Sequence, residues 1–161
     1  MKIAGVIKNS VVNGIGIRDV IFLQGCYHRC EGCHNPETWN VEDGLDISAM
    51  DLYDMIKDSP NNVTISGGEP LLQWYGLIKL LKLITRNSNK TIWLYTGFTF
   101  EKLNPKLQRE LSQYVDVLVD GKFEIDKKDL TLEFRGSSNQ RLIDLKKSVK
   151  GNKVILWRYE K

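Results

Sequence analysis

The sequence predicts an α/β fold, with residues 1–161 forming a single domain built as an open partial barrel of mainly parallel strands. Short apolar runs rich in β-branched residues alternate with segments whose apolar residues recur at helical spacing. This alternation is typical of right-handed βαβ units and a parallel sheet. Glycine and polar residues follow several of the runs, at the strand ends where such sheets bind ligands. The chain of 161 residues is too short for a closed eight-fold barrel, which needs ~200 residues or more.

The strands and helices are predicted from short runs, caps and apolar stripes. Strands are predicted at residues 2–8, 20–23, 63–65, 91–95 and 115–119, and a turn-rich segment at residues 9–16. One helix is predicted to begin after Ser48, with Asp51 placed for a capping box, and another after Asn104, because Pro105 follows it. A helix between them is indicated by an apolar stripe: Trp74, Leu77, Ile78, Leu81 and Ile84.

The residues that follow the predicted strands are expected to share one edge of the sheet. They are Gly25-Cys26, Gly67-Gly68, Thr96-Gly97 and Asp120-Gly121. Gly67 and Gly68 have no side chain, so the backbone can approach a ligand there; paired glycines are also common in plain turns. Asp120 and Lys122 are either an ordinary surface pair or a site for the charged end of a ligand.

Residues 25–39 contain all three cysteines of the chain: Cys26, Cys30 and Cys33. This close spacing allows the three thiolates to bind the same metal centre. Two kinds of metal site are compatible with this spacing. An iron–sulfur cluster would take the three thiolates and keep one iron position free for catalysis. A closed Cys₃His zinc site would add His28 or His34. The odd cysteine count disfavours a disulfide framework.

Composition and charge narrow the functional class further. The net charge of +3 is too small to indicate a nucleic-acid partner. Residues 141–161 carry seven basic and two acidic side chains, which predicts a solvated face or mobile tail, with docking to an acidic partner as the alternative. No run is long enough to span a membrane, and no signal peptide is evident. We expect a cytoplasmic protein.

Several motifs together resemble a known enzyme family. The cysteine spacing and Gly67-Gly68-Glu69-Pro70 resemble the radical S-adenosylmethionine enzymes. Other segments are similar to the activating proteins of anaerobic ribonucleoside-triphosphate reductase: residues 13–18, 25–35, 38–39, 93–97, 117–123 and 135–141. Many members of the wider superfamily carry an aromatic residue just before the third cysteine, where it packs on adenine. This chain has Gly32 there, so His34 or backbone groups would pack on the adenine instead.

The resemblance implies the cofactors and the roles of the site residues. It implies a [4Fe-4S] cluster held by Cys26, Cys30 and Cys33, with S-adenosylmethionine chelating the fourth iron and yielding a 5′-deoxyadenosyl radical when the reduced cluster cleaves it. Further residues are implied in cofactor binding. They are Gly32, Cys33, His34, Gly67, Gly68, Glu69, Asp120 and Lys122, of which Gly67 and Gly68 would present backbone groups to the methionine amino group.

The resemblance also implies a protein substrate. The partner would be the large subunit of anaerobic ribonucleoside-triphosphate reductase, in which a glycine loses a hydrogen to the radical. A flavodoxin or ferredoxin would donate the electron, and neither a membrane nor a nucleic acid is expected to bind. Three alternatives remain: an activase of another glycyl-radical enzyme such as pyruvate formate-lyase, a small-molecule radical enzyme, and a zinc-stabilised binding module with no catalysis.

Overall fold

The structure is a computed structural model that describes residues 1–159. Glu160 and Lys161, the last residues of the basic segment, lie outside the described residues. The strands are β1 (Lys2–Ser10), β2 (Arg18–Leu23), β3 (Leu45–Asp46), β4 (Asn62–Gly67), β5 (Ile92–Tyr95), β6 (Val117–Asp120) and β7 (Arg141–Asp144). The helices are α1 (Ala49–Ile56), α2 (Trp74–Asn87), α3 (Pro105–Ser112) and α4 (Leu145–Gly151).

All seven strands form one sheet in the order β3-β1-β2-β4-β5-β6-β7. The four core strands β2, β4, β5 and β6 are parallel to one another. Strands β1 and β3 at one end and β7 at the other pair in the antiparallel sense. The two end strands are not neighbours, so the sheet is open. These features confirm the predicted α/β fold with an open partial barrel and mainly parallel core strands.

The two faces of the sheet are covered differently because successive side chains of a strand point to opposite faces. One face packs against the helices in the main apolar core, to which the central strands contribute Ile21, Ile65, Leu94 and Leu118. On the other face Trp93, Val117 and Val119 form a smaller cluster, covered by Phe134 and Trp157. Trp93 and Trp157 meet edge to face, with ring centroids 5.0 Å apart. The helix-free face leads to the cavity described below.

The start of the core strands is closed by Arg18, whose side chain is fully buried. Its guanidinium donates to the carbonyls of Val63 (2.7 Å) and Thr91 (2.9 Å), and to that of Ile15 (3.0 Å) in the turn before β2. It also lies 5.5 Å from the ring centre of Trp93. Burial lowers the Arg18 pKa to about 10, so the group remains charged at neutral pH. Arg18 thereby ties the turn at residues 11–17 to the beginnings of β4 and β5.

Both helix caps expected from the sequence are present. Ser48 accepts a hydrogen bond from the Asp51 amide at 3.0 Å, and Asn104 accepts one from the Leu107 amide at 2.8 Å. Bonds of this kind satisfy an amide that has no partner within the helix. Strand β6 begins at Val117 rather than at the predicted Val115, because the Val115 amide still bonds to Leu111 at the end of α3.

After Arg141 the prediction of a mobile tail is wrong for most of the segment, whereas four lysines are exposed, as a solvated face requires: Lys146, Lys147, Lys150 and Lys153. The segment forms β7 and α4, and Asp144 caps α4 by accepting from the Lys147 amide at 3.1 Å. The Trp157 amide then donates to Leu142 at 2.8 Å along the outer edge of β7. Leu142 and Ile143 pack on opposite faces of the sheet, which gives this basic segment an apolar anchor. Within residues 1–159, helices long and apolar enough to cross a membrane are absent.

Candidate metal centre

A cavity of about 820 Å³ lies at the carboxyl ends of the parallel strands. Its lining includes the three cysteines and residues at the carboxyl ends of three core strands: Gly67 and Gly68 at the end of β4, Thr96 and Gly97 after β5, and Gly121 and Lys122 after β6. The expectation that these strand ends share one edge with the cysteines is therefore confirmed. The arrangement follows from parallel strands, because their carboxyl ends all meet at the same edge.

Residues 25–39 form a loop, here called the cysteine loop, that closes on itself. The Gly25 amide donates to Thr38 at 2.6 Å and the Cys26 amide to Trp39 at 3.0 Å, so the two ends of the loop are paired. The Gln24 side chain, just before the loop, donates to the carbonyls of Glu37 and Asn40, both at 2.8 Å. The protein's own hydrogen bonds therefore anchor the loop at the end of β2.

The three thiols are free, with Cys26 buried and Cys30 and Cys33 half-buried. Burial is the largest cause that raises the pKa of the Cys26 and Cys30 thiols, and the neighbouring thiols add to it. A metal centre would supply the positive charge that three adjacent thiolates need. Three free thiols facing one cavity, with no fourth cysteine in the chain, fit an iron–sulfur cluster with one open iron position.

The histidines of the loop are not arranged for a closed Cys₃His zinc site. The Nε2 atom of His28 is 2.8 Å from Glu69 Oε2, and its ring packs edge-on against Phe98 at 4.7 Å. His34 lies beside the ring of Phe123, with centroids 5.0 Å apart. Among residues 1–159, no three His, Cys, Asp or Glu side chains are positioned to hold a single metal ion. The contacts of His28 with Glu69 and Phe98 therefore favour the cluster over a closed Cys₃His zinc site.

Gly67 and Gly68 form a turn that packs closely on the end of β2. A Cβ atom on Gly67 would overlap the backbone of Leu23, and one on Gly68 would overlap the carbonyl of Gly25. Gly67 also has a φ of +114°, which other residues rarely adopt. The Gly68 and Glu69 amides donate to Leu23 (2.9 Å) and Gly25 (2.8 Å). These two amides are therefore already bonded within the protein and do not donate to a ligand.

The structure places the Glu69 carboxylate inside the protein, although the family resemblance implies contact with the cofactor. The Glu69 residue is 1% exposed. Oε1 accepts from Thr96 Oγ1 (2.8 Å) and from the Leu71 amide (3.1 Å). Oε2 accepts from the Gly97 amide (2.7 Å) and lies 2.8 Å from His28 Nε2. Glu69 therefore joins the cysteine loop to the ends of β4 and β5.

Asp120 also differs from its prediction, because its carboxylate does not face the cavity. The carboxylate is buried and forms a two-point pair with Arg141, at 3.1 Å to Nε and 2.6 Å to a terminal nitrogen. It also accepts from the Phe100 amide at 2.8 Å. Lys122, by contrast, is exposed and lines the cavity. Of this predicted pair, only Lys122 stands where it can reach a ligand.

Gly32 has a packing reason for lacking a side chain. Its φ is +74°, and an added Cβ would lie 2.5 Å from Ile125 Cδ1 and 3.2 Å from Phe123 Cε1. An aromatic residue at this position would collide with the segment that follows β6. Phe123 and His34 both line the cavity, so aromatic surface reaches the cavity from positions other than residue 32.

Some lining residues are missing from the sequence-based prediction. Phe22, Ser66 and Tyr95 line the cavity from the helix-free face of the sheet, and the two-residue alternation of the strands could have indicated them. Arg135 also lines the cavity. Its Nε atom is buried and has no hydrogen-bond partner among the described residues. A cation with a free donor inside the cavity suits an anionic group of a ligand, but no spacing in the sequence signals it.

Comparison with known proteins agrees with this site. A family model described as a 4Fe-4S single cluster domain matches residues 12–143. Anaerobic ribonucleoside-triphosphate reductase-activating proteins are similar over 81% of this chain. Those of Pasteurella multocida and Haemophilus influenzae are 40% and 37% identical, with 89% of each relative covered, and that of Escherichia coli is 38% identical, with 90% covered.

The matched region contains the cysteine loop and every strand from β2 to β6, together with nearly all of β7. The fold, the three cysteines in one cavity and the extent of the similarity lead to one conclusion: the chain belongs to the family of anaerobic ribonucleoside-triphosphate reductase-activating proteins, within the radical S-adenosylmethionine enzymes.

Proposed function

We propose that this protein activates an anaerobic ribonucleoside-triphosphate reductase by forming a glycyl radical on it. The observation that carries the proposal is the convergence of Cys26, Cys30 and Cys33 with the glycine turn of β4 on one cavity. With its cofactors bound, the site supplies one electron from a [4Fe-4S] cluster to S-adenosylmethionine, and the radical produced takes a hydrogen atom from a glycine of the reductase. The protein is therefore a radical S-adenosylmethionine oxidoreductase that acts on another protein.

In this proposal the chain's own residues bind and orient the cofactors. Cys26, Cys30 and Cys33 hold the cluster. The carbonyl groups of Gly67 and Gly68 accept hydrogen bonds from the methionine amino group, which suits a turn whose amides at Gly68 and Glu69 are already bonded. A further set of residues has supporting or direct roles. Lys122 and Arg135 attract the carboxylate of S-adenosylmethionine. His34 and Phe123 pack against its adenine. Glu69 and Asp120 hold the strand ends in place.

The partner and the cellular setting complete the proposal. The protein substrate is the large subunit of the reductase. A small redox protein such as a flavodoxin or ferredoxin supplies the electron, because this chain has cysteines for one cluster only. Free thiols of this kind persist in a reducing, cytoplasmic compartment.

Mixing experiments with the reductase subunit test the function directly. The reduced, cluster-loaded protein, S-adenosylmethionine and the reductase large subunit are combined without oxygen, and the glycyl radical is followed by electron paramagnetic resonance. We expect the radical with the wild-type protein and none with Cys30→Ala, because one of the three cluster ligands is gone. Cleavage of S-adenosylmethionine without any radical on the subunit would reject this partner and favour another glycyl-radical enzyme.

A further inference from the structure

Apolar side chains are exposed around the opening of the cavity. Val11 is 64% exposed, Val12 is 69% exposed and Leu130 is 86% exposed, while Leu132 is half-buried. All four line the cavity that the three cysteines also line. We call these four residues the apolar rim. Exposed apolar groups that gather at a cavity mark a binding surface more often than scattered ones do.

The rim is held in place by hydrogen bonds of the segments that carry it. Next to Val11 and Val12, the Asn13 side chain accepts from Ser10 Oγ at 2.8 Å and its carbonyl accepts from Thr64 Oγ1 at 2.6 Å.

The second segment of the rim, which carries Leu130 and Leu132, is fixed in a similar way. The Asp129 amide donates to the Gly136 carbonyl at 3.1 Å, and its carboxylate accepts from the Thr131 amide at 2.9 Å. The apolar side chains are thus presented to solvent by fixed backbone. Keeping them there costs free energy that a partner recovers by covering them.

We propose that the apolar rim binds the glycine-bearing segment of the reductase, an inference that rests on the function proposed above. The reacting glycine belongs to another chain, and its α-carbon must come within ~3–3.5 Å of the reacting atom inside the cavity. A segment that enters this opening passes the rim. The occupant is therefore an extended stretch with a small residue at its tip and apolar residues on either side, which pack against Val12 and Leu130.

The apolar rim differs in charge from the other candidate docking surface, the basic segment after Arg141. The four rim side chains are uncharged, whereas the segment that forms α4 carries Lys146, Lys147 and Lys150. Binding through apolar burial persists as the salt concentration rises, but docking through lysines weakens because salt screens exposed charges. Salt dependence therefore tells which of the two surfaces supplies the affinity.

The test compares rim variants with a matched surface variant. Calorimetry measures the affinity of the cluster-loaded protein, with S-adenosylmethionine, for the reductase subunit at about 0.1 M and about 0.5 M salt. For the double variant Val12→Ser, Leu130→Ser we expect affinity at least about tenfold weaker at both salt concentrations. In the same variant we expect a lower yield of glycyl radical for each molecule of S-adenosylmethionine that is cleaved. Tyr75→Ser is the control, since Tyr75 is 87% exposed on α2, outside the cavity lining.

Each other outcome overturns the proposal. Wild-type affinity in the double variant, or an equal loss with Tyr75→Ser, removes the rim as the docking surface while leaving the activase function intact. A wild-type dimer that depends on Leu130, with unchanged reductase binding, makes a second copy the occupant. A wild-type protein that cleaves S-adenosylmethionine yet neither binds the subunit nor forms its radical rejects the proposed function, and the rim's occupant with it.

Discussion

Glu69 illustrates how one buried carboxylate assembles this site. It accepts from Thr96, Gly97 and Leu71 and contacts His28. The family resemblance of Gly67-Gly68-Glu69-Pro70 implies Glu69 as a site residue. The direction of its carboxylate depends on partners 27, 28 and 41 residues away along the chain, which spacing alone does not reveal. The same limit applies to Asp120, whose partner is Arg141.

Replacing Glu69 by glutamine tests this role. Each carboxylate oxygen accepts from one backbone amide, that of Leu71 or Gly97. In Glu69→Gln the new NH₂ group faces one of these amides in either orientation and leaves it unsatisfied. We expect the free energy of unfolding of the metal-free protein, measured in urea, to fall by about 1–3 kcal/mol. The control Glu42→Gln, at an exposed position, should change it little. Equal stability of the two variants would contradict the role.

Gly67 allows a second test at the level of single residues. Its φ of +114° and the overlap of an added Cβ with the Leu23 backbone make alanine strained there. Strain of this kind costs on the order of 1–3 kcal/mol, and the overlap adds to it. We expect Gly67→Ala to lower the melting temperature clearly. In Gly5→Ala the new Cβ has nothing within 4 Å, so little change is expected. A wild-type melting temperature for Gly67→Ala would show that β4 does not approach β2 this closely.

At the level of elements, the sequence predicts the core well and the periphery poorly. Each core strand is a short apolar run, and the Ser48 and Asn104 caps have the residue types that helix starts require. Strand β3 has only two residues, too few for a periodic signal. Strand β7 runs directly into α4 with no turn residue between them, and the lysines of this segment mask its apolar anchor. Tertiary pairing, rather than local preference, forms these elements.

Strand β2 depends on Asp19, whose side chain is buried. Its carboxylate accepts from Asn61 Nδ2 at 2.8 Å and from the Asn9 amide at 3.4 Å, and lies 3.4 Å from Lys8 Nζ. Burial alone would raise the pKa of this carboxyl, but the hydrogen bonds and the lysine outweigh it, so the pKa is lowered. The charged form therefore stabilises the folded state above the unfolded-state pKa of about 3.9.

Acid titration of stability tests this contribution. Because the folded-state pKa is the lower one, the stabilisation is lost as the pH falls below about 4 and through the folded-state pKa. We expect Asp19→Asn to be less stable than wild type at neutral pH by about 1–3 kcal/mol, and to lose less stability on acidification. The exposed Asp58→Asn control should follow the wild-type curve. Parallel curves for Asp19→Asn and wild type would contradict the lowered pKa.

At the scale of the whole molecule, the open sheet explains how a short chain forms both a cofactor site and an access route. Parallel strands bring the cysteine loop and the glycine turn to one edge, which the alternation of predicted strands and helices along the sequence indicates. The covering of the helix-free face was not predictable. It comes from Phe134 and Trp157, which follow β6 and α4 and pack on Trp93, without a periodic pattern of their own.

The central claim is that Cys26, Cys30 and Cys33 hold one iron–sulfur cluster, and metal analysis tests it most directly. Protein purified and reconstituted without oxygen is assayed for iron, acid-labile sulfide and zinc. We expect about four iron and four sulfide per chain, little zinc, and loss of the brown colour in Cys26→Ala with the fold retained by circular dichroism. Stoichiometric zinc without sulfide in the wild-type protein would contradict the claim and identify a zinc-stabilised binding module instead.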